Sequence, residues 1–163
     1  MNLKTFFSTI NFKKLLTSIA LPLLVGIFAG LLTRNSMEAF SMLNKPPLAP
    51  PAILFPIVWT ILYILMGLSF YFIQKNKGKT KNCENASSLY YYQLIVNFLW
   101  PIFFFRLQWY FFSFLWLLLL WFLVILMIRC FSKISKLAGL LNIPYLLWLT
   151  FAGYLNFAIW FIN

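Results

Sequence analysis

Phe103-Phe104-Phe105-Arg106-Leu107-Gln108-Trp109-Tyr110-Phe111-Phe112 sits in the middle of an almost unbroken apolar run from Leu89 to Arg129. One membrane-crossing helix takes roughly 20 residues, so this run is two spans, and Arg106-Leu107-Gln108 is the one place where the chain can turn. The reading puts helices at 88–106 and 109–130 with a tight turn between them. Before them, the polar basic loop Lys75–Glu84 closes an earlier apolar segment, 52–73, and a further run occupies 15–33. After them, a last run covers 137–162, with Pro144 near its start. The expected fold is an all-α integral membrane protein, a five-transmembrane-helix bundle forming a single domain over residues 1–163.

Composition agrees, since 63% of the residues are hydrophobic and only 9% are charged, too little polar surface to coat a water-soluble globule. The net charge of +11 is distributed by side rather than in a nucleic-acid-binding stripe. With five spans, Lys4, Lys13, Lys14, Lys75, Lys77, Lys79, Lys81, Arg129, Lys133 and Lys136 fall on one side, and Arg34, Lys45 and Arg106 on the other. Ten against three sets a cytoplasmic N-terminus and an outer C-terminus by the positive-inside rule. The first run is read as an uncleaved span because it is long for a signal-peptide core and lacks a small-x-small cleavage site. Cys83 and Cys130 then both face the cytoplasm, as does the Asn85-Ala86-Ser87 sequon, so neither disulfide nor glycan is expected.

The chemistry available is narrow. Glu38 and Glu84 are the only acids, in loops on opposite sides, and there is no histidine. Paired carboxylates, a Ser-His-Asp triad and a metal site are all out of reach, and no cofactor is required. What recurs at helical spacing is uncharged: Trp59, Tyr63 and Gly67; Asn97, Pro101, Phe104 and Gln108; Tyr145, Trp148, Ala152 and Asn156. Asparagine and glutamine are costly in lipid, so these three faces are expected to point inward, toward one another or a cavity. The bland alternative is that the amides join neighbouring helices and the tryptophans form interfacial belts. Gly26 and Gly30 form a GxxxG that suits either a homodimer seam or close packing inside one chain.

The loop before the second span is unusual: Lys45-Pro46-Pro47-Leu48-Ala49-Pro50-Pro51 runs directly into Ile53-Leu54-Phe55-Pro56-Ile57-Val58-Trp59-Thr60-Ile61-Leu62-Tyr63. Five of the chain's eight prolines fall within eleven residues, which makes a stiff lid. Lys-Pro-Pro, a second Pro-Pro, then Pro-x-x-Trp-x-x-Leu-Tyr-x-x-x-Gly resembles the signature of the translocator protein family, also called the tryptophan-rich sensory protein or peripheral benzodiazepine receptor family. Leu94-Ile95-Val96-Asn97-Phe98-Leu99-Trp100 is similar to the family's third helix, and Pro144-Tyr145-Leu146-Leu147-Trp148 through Phe151-Ala152 to Leu155-Asn156 to its fifth.

The resemblance implies a multi-pass protein of a bacterial inner or plasma membrane. It implies a receptor or carrier that takes protoporphyrin IX, haem-pathway intermediates or other hydrophobic ligands in a cavity under the proline-rich outer loop. The ligand-binding residues expected from the faces and the resemblance together are Trp59, Tyr63, Asn97, Trp100, Phe104, Gln108, Tyr145, Trp148 and Ala152, with Phe40 and Pro47 from the loop. The implied alternatives are light-dependent protoporphyrin IX degradation, with Trp59 and Trp148 as the catalytic residues, and a passive transporter or scaffold subunit. The implied partners are the lipid bilayer, a tetrapyrrole and a second copy of the chain, with Gly26 and Gly30 as the candidate seam. The chain departs from the family at Ala39 and Phe40, where Trp-Tyr is usual, and at Leu48 and Ile53, where aromatics follow each proline pair. The sterol-recognition motif of animal members lacks its basic residue here, so cholesterol is not an expected ligand.

Overall fold

The computed structural model describes residues 11–36, 40, 42–76 and 85–163. Glu38, Ala39, Cys83 and Glu84, named above, lie outside them. Helix α1 is Phe12–Thr33, followed by a 3-10 turn at Arg34–Ser36; α2 is Leu54–Lys75, α3 Ala86–Pro101, α4 Tyr110–Ile134, α5 Lys136–Leu140 and α6 Ile143–Ile162. Five helical segments, the last made of α5 and α6 together, are long and apolar enough to cross a membrane. No strand occurs among the described residues. The outward faces carry side chains such as Leu31, Ile61, Ile95, Phe122 and Leu147, all exposed, as a bilayer-facing surface requires.

The helices form a ring in the order α2, α1, α3, α4, α6, with the loosest closure between α6 and α2. The tight α1–α2 contact has a specific cause. Pro22 lies inside α1 and has no N–H, which leaves the Ser18 carbonyl without its helical donor. Gly67 of α2 lies against that same carbonyl: a Cβ there would stand 2.7 Å from Ser18 O and 2.5 Å from Ile19 Cα. Gly67, on a face expected to point toward neighbouring helices or a cavity, brings two backbones together.

The α3 helix does not run straight to the turn. Pro101 ends regular α-winding, and Ile102–Arg106 continues as a π-helix, closed by Leu107 N–H donating to Ile102 O at 3.0 Å. Wider winding shifts every later side chain off the α-helical stripe. Gln108, expected on the inward face, is accordingly exposed at the turn with a left-handed backbone, φ 57°.

Of the two uses expected of Gly26, the structure shows close packing inside the chain, because Tyr63 of α2 fills its notch. Gly30 has nothing within 4 Å of a Cβ placed on it. Cys130, buried near the end of α4, is disulfide-bonded rather than reduced. The expectation of a thiol came from the sidedness of charge, which carries no information about distances between sulfurs.

Candidate functional site

The first turns of α2 do not reach the end of α6. Phe55, the second residue of α2, meets Trp148 edge-on with ring centroids 5.9 Å apart, and Trp148 lies only in the second turn of α6. Trp59 likewise meets Tyr145, at 6.1 Å. The rest of α6 is flanked by the proline segment in place of a helix. Tyr154 OH donates to Pro47 O (2.9 Å), Asn44 N–H donates to Asn163 Oδ1 (3.0 Å), and Asn163 Nδ2 donates back to Asn44 O (3.1 Å). Proline-rich backbone lacks the donors to make its own ladder, so α6 side chains hold it. Leu48, between the two proline pairs, takes a left-handed φ of 69° to make the turn.

Under this segment lies a narrow, largely filled cavity of about 40 Å³, well below the range of an open small-molecule site, so a guest has to displace part of the roof or wall to enter. Its roof is Phe40, Lys45, Ala49, Pro50 and Ala52, with Phe55 at the head of α2. One wall is Trp100, Phe104 and Phe105 from the end of α3 and its π-turn, and the other is Ala152, Leu155, Asn156 and Ile159 of α6. The π-turn is what lets both Phe104 and Phe105 line the wall, adjacent residues that an α-helix would splay by about 100°. Trp100 and Phe104 stack at 5.4 Å, and Phe40 packs on Phe104 and Phe105 at 5.8 and 5.2 Å. The result is an aromatic wall and roof in which Phe105 stands edge-on to Phe104, Trp100 and Phe40.

Beneath the slot the polar residues are spent on one another. Asn156 receives hydrogen bonds at Oδ1 from Trp100 Nε1 and Ser113 Oγ, both 3.1 Å, and donates from Nδ2 to Tyr110 O at 2.8 Å. Deeper in the bundle Tyr63 OH donates to Asn97 Oδ1 (2.8 Å), Asn97 Nδ2 to Tyr145 OH (2.8 Å), and Tyr145 OH to Gln93 Oε1 (3.1 Å). This chain ties α2, α3 and α6 where no water is at hand, so each member keeps its neighbour's orientation.

The expected site residues therefore separate into groups. Phe40, Trp100, Phe104 and Ala152 line the cavity. Trp59 lies next below, with its ring 6.5 Å from Trp100 and 5.4 Å from Tyr63. Tyr63, Asn97 and Tyr145 form the buried polar chain. Pro47 is exposed and contributes its carbonyl to Tyr154. Gln108 is apart, for the reason given above. Trp148 lines a separate groove between α2 and α6, with Val58, Ile61, Leu62, Pro144, Leu147 and Phe151, and its buried indole N–H has no hydrogen-bond acceptor. Trp59 and Trp148 are thus set in different surroundings, which does not favour a joint photochemical role.

Lys45, Phe55, Phe105, Leu155 and Ile159 line the cavity without having been expected. Leu155 and Ile159 continue the stripe of Ala152 at i+3 and i+7, so the periodicity was there to extend.

The model of the TspO/MBR family matches residues 18–161. The chain belongs to the TspO/MBR family. The match takes in the bundle apart from the first six residues of α1 and the last of α6, together with the proline segment and every residue lining the cavity. Among its relatives, the tryptophan-rich protein TspO of Archaeoglobus fulgidus is 37% identical over 154 residues, covering 94% of this chain and 99% of the relative. The protein of the same name from Chlorobaculum tepidum is 36% identical over 146 residues, 89% and 92% of the two chains. The translocator protein of Bos taurus is 34% identical over 142 residues, 86% and 84%. This TspO/MBR member thus has prokaryotic and animal relatives that match it over most of its length.

Proposed function

We propose that this member of the TspO/MBR family is a membrane receptor or carrier for porphyrins and related flat, hydrophobic molecules, bound in the slot beneath the proline segment. The observation that carries the reading is the stacked Trp100–Phe104 pair facing the proline roof across a narrow cavity. A wall of stacked rings facing an apolar wall favours a planar aromatic guest by offset stacking and burial. The names of the relatives, tryptophan-rich sensory and translocator proteins, fit a sensing or carrying role. A homodimer belongs to the same reading, its contact lying elsewhere than Gly26, as does a bacterial plasma membrane with the proline segment outside.

The test is protoporphyrin IX titrated into protein in phosphatidylcholine vesicles, read by quenching of tryptophan fluorescence. Saturable quenching in the micromolar range is expected. Ala152→Leu, which fills the slot from the α6 wall, should weaken it by about ten-fold. Quenching that rises linearly without saturation, equal in both proteins, overturns the proposal.

A further inference from the structure

The cavity is mostly apolar, aromatic on the α3 side and aliphatic on the α6 side. Among the described residues that line it, Lys45 is the only charged one. Its ammonium sits 5.8 Å from the centroid of the Phe40 ring, itself a lining residue, so the cation is drawn over the roof of the slot. The backbone on both sides is pinned to α6: Asn44 through Asn163, and Pro47 through Tyr154. Pro46, between them, is buried. A lysine is ordinarily a mobile point charge on a flexible stem, but here its anchor is fixed at the mouth of the cavity before a ligand arrives.

Resting on the binding reading above, we infer that Lys45 determines specificity by receiving a carboxylate carried on the rim of the planar ligand. An apolar slot selects for flat shape and cannot tell an acid from its ester. A single fixed ammonium at the mouth can, because only the acid gains a charge-assisted hydrogen bond there. The ligand class is therefore a planar aromatic carboxylate lying ring-inward, with its acid group at the membrane surface. A phospholipid headgroup offers the same anionic chemistry from the bilayer, and the experiment separates the two sources.

The experiment compares protoporphyrin IX with its dimethyl ester, in vesicles of neutral phosphatidylcholine and in vesicles containing phosphatidylglycerol. Three proteins are used: the parent, Lys45→Met and Lys45→Arg. In neutral vesicles the parent should prefer the acid over the ester by roughly five- to ten-fold, the scale of one exposed to half-buried charge pair. Lys45→Met should bring that ratio near one while leaving ester affinity unchanged, and Lys45→Arg should keep the preference. Arg106→Gln, a cation at the same end outside the cavity, should also keep it. A parent that binds both compounds equally, or a Lys45→Met protein that keeps its preference, overturns the inference while leaving the binding reading intact. Loss of preference in the parent on adding phosphatidylglycerol alone assigns Lys45 to the lipid headgroup and likewise overturns it. A parent that binds neither compound saturably fails the binding reading itself. Unaltered ester binding by Lys45→Met also shows that the variant is folded.

Discussion

The ring of Tyr63 occupies the place where a side chain at Gly26 would begin. The same tyrosine donates to Asn97 at 2.8 Å, so the absence of a methyl group on α1 is what allows a hydrogen bond between α2 and α3. Gly26→Ala should displace the ring and weaken that bond, destabilising the bundle by about 1–3 kcal/mol. A lower thermal midpoint in detergent is the readout. Gly30→Ala, which meets open space, should leave the midpoint unchanged or raise it slightly.

Asn97 lies between two hydroxyls. Replacing it with Leu leaves Tyr63 OH without an acceptor and takes a donor from Tyr145, in a core that water does not reach. A cost of about 1–3 kcal/mol is expected for such an orphaned group. Tyr63→Phe in the Asn97→Leu background should recover part of the loss, since removing both partners of a buried bond costs less than removing one. A double variant as unstable as the sum of its two singles would show that the bond contributes nothing beyond packing.

Tyr154 holds the proline segment by one hydrogen bond to Pro47 O. Tyr154→Phe keeps the ring and loses the clip. The helices should be unaffected, while a bound porphyrin should leave a few-fold faster because the roof must be re-ordered each time it closes. Stopped-flow displacement by excess unlabelled ligand measures this directly.

Leu48 occupies a left-handed conformation, φ 69°, and is exposed. Its side chain makes that backbone cost on the order of 1 kcal/mol that a glycine would not incur. Leu48→Gly regains this but frees the unfolded chain, so a small net gain, up to about 0.5 kcal/mol, is expected. Leu48→Val, β-branched at the same φ, should lower the thermal midpoint.

Much of this was legible in the residues. The two-span reading of Leu89–Arg129, with its turn at Arg106-Leu107-Gln108, needed only the length of the run, and the helices at 86–106 and 110–134 follow it closely. Asn97 and Asn156 pointed inward because an amide in mid-span is costly against lipid, and Tyr145 shares the helical stripe of Asn156. What was not legible depended on winding and register. The π-turn after Pro101 moved Gln108 off its stripe and brought Phe105 onto the wall, and nothing in an α-helical period announces it. Trp148 had the right spacing, but α2 begins level with it, so its ring met Phe55 and the groove beside α2 rather than the cavity. Lys45 was counted for topology, and only the fold of the roof puts it at the mouth of the slot.

The contact of Pro22 and Gly67 is made from two omissions, a proton that one helix lacks and a side chain that the other lacks. Either alone would be a fault: an idle carbonyl facing lipid, or a gap between helices. Fitted together, the bare face of Gly67 lies against the backbone turn that Pro22 leaves unbonded. A side chain restored at 67 would be driven into a backbone that cannot yield, whatever stands at 22. A donor restored at 22 would leave the notch at 67 with nothing polar to cover. The two sites form one contact between positions 45 residues apart in sequence.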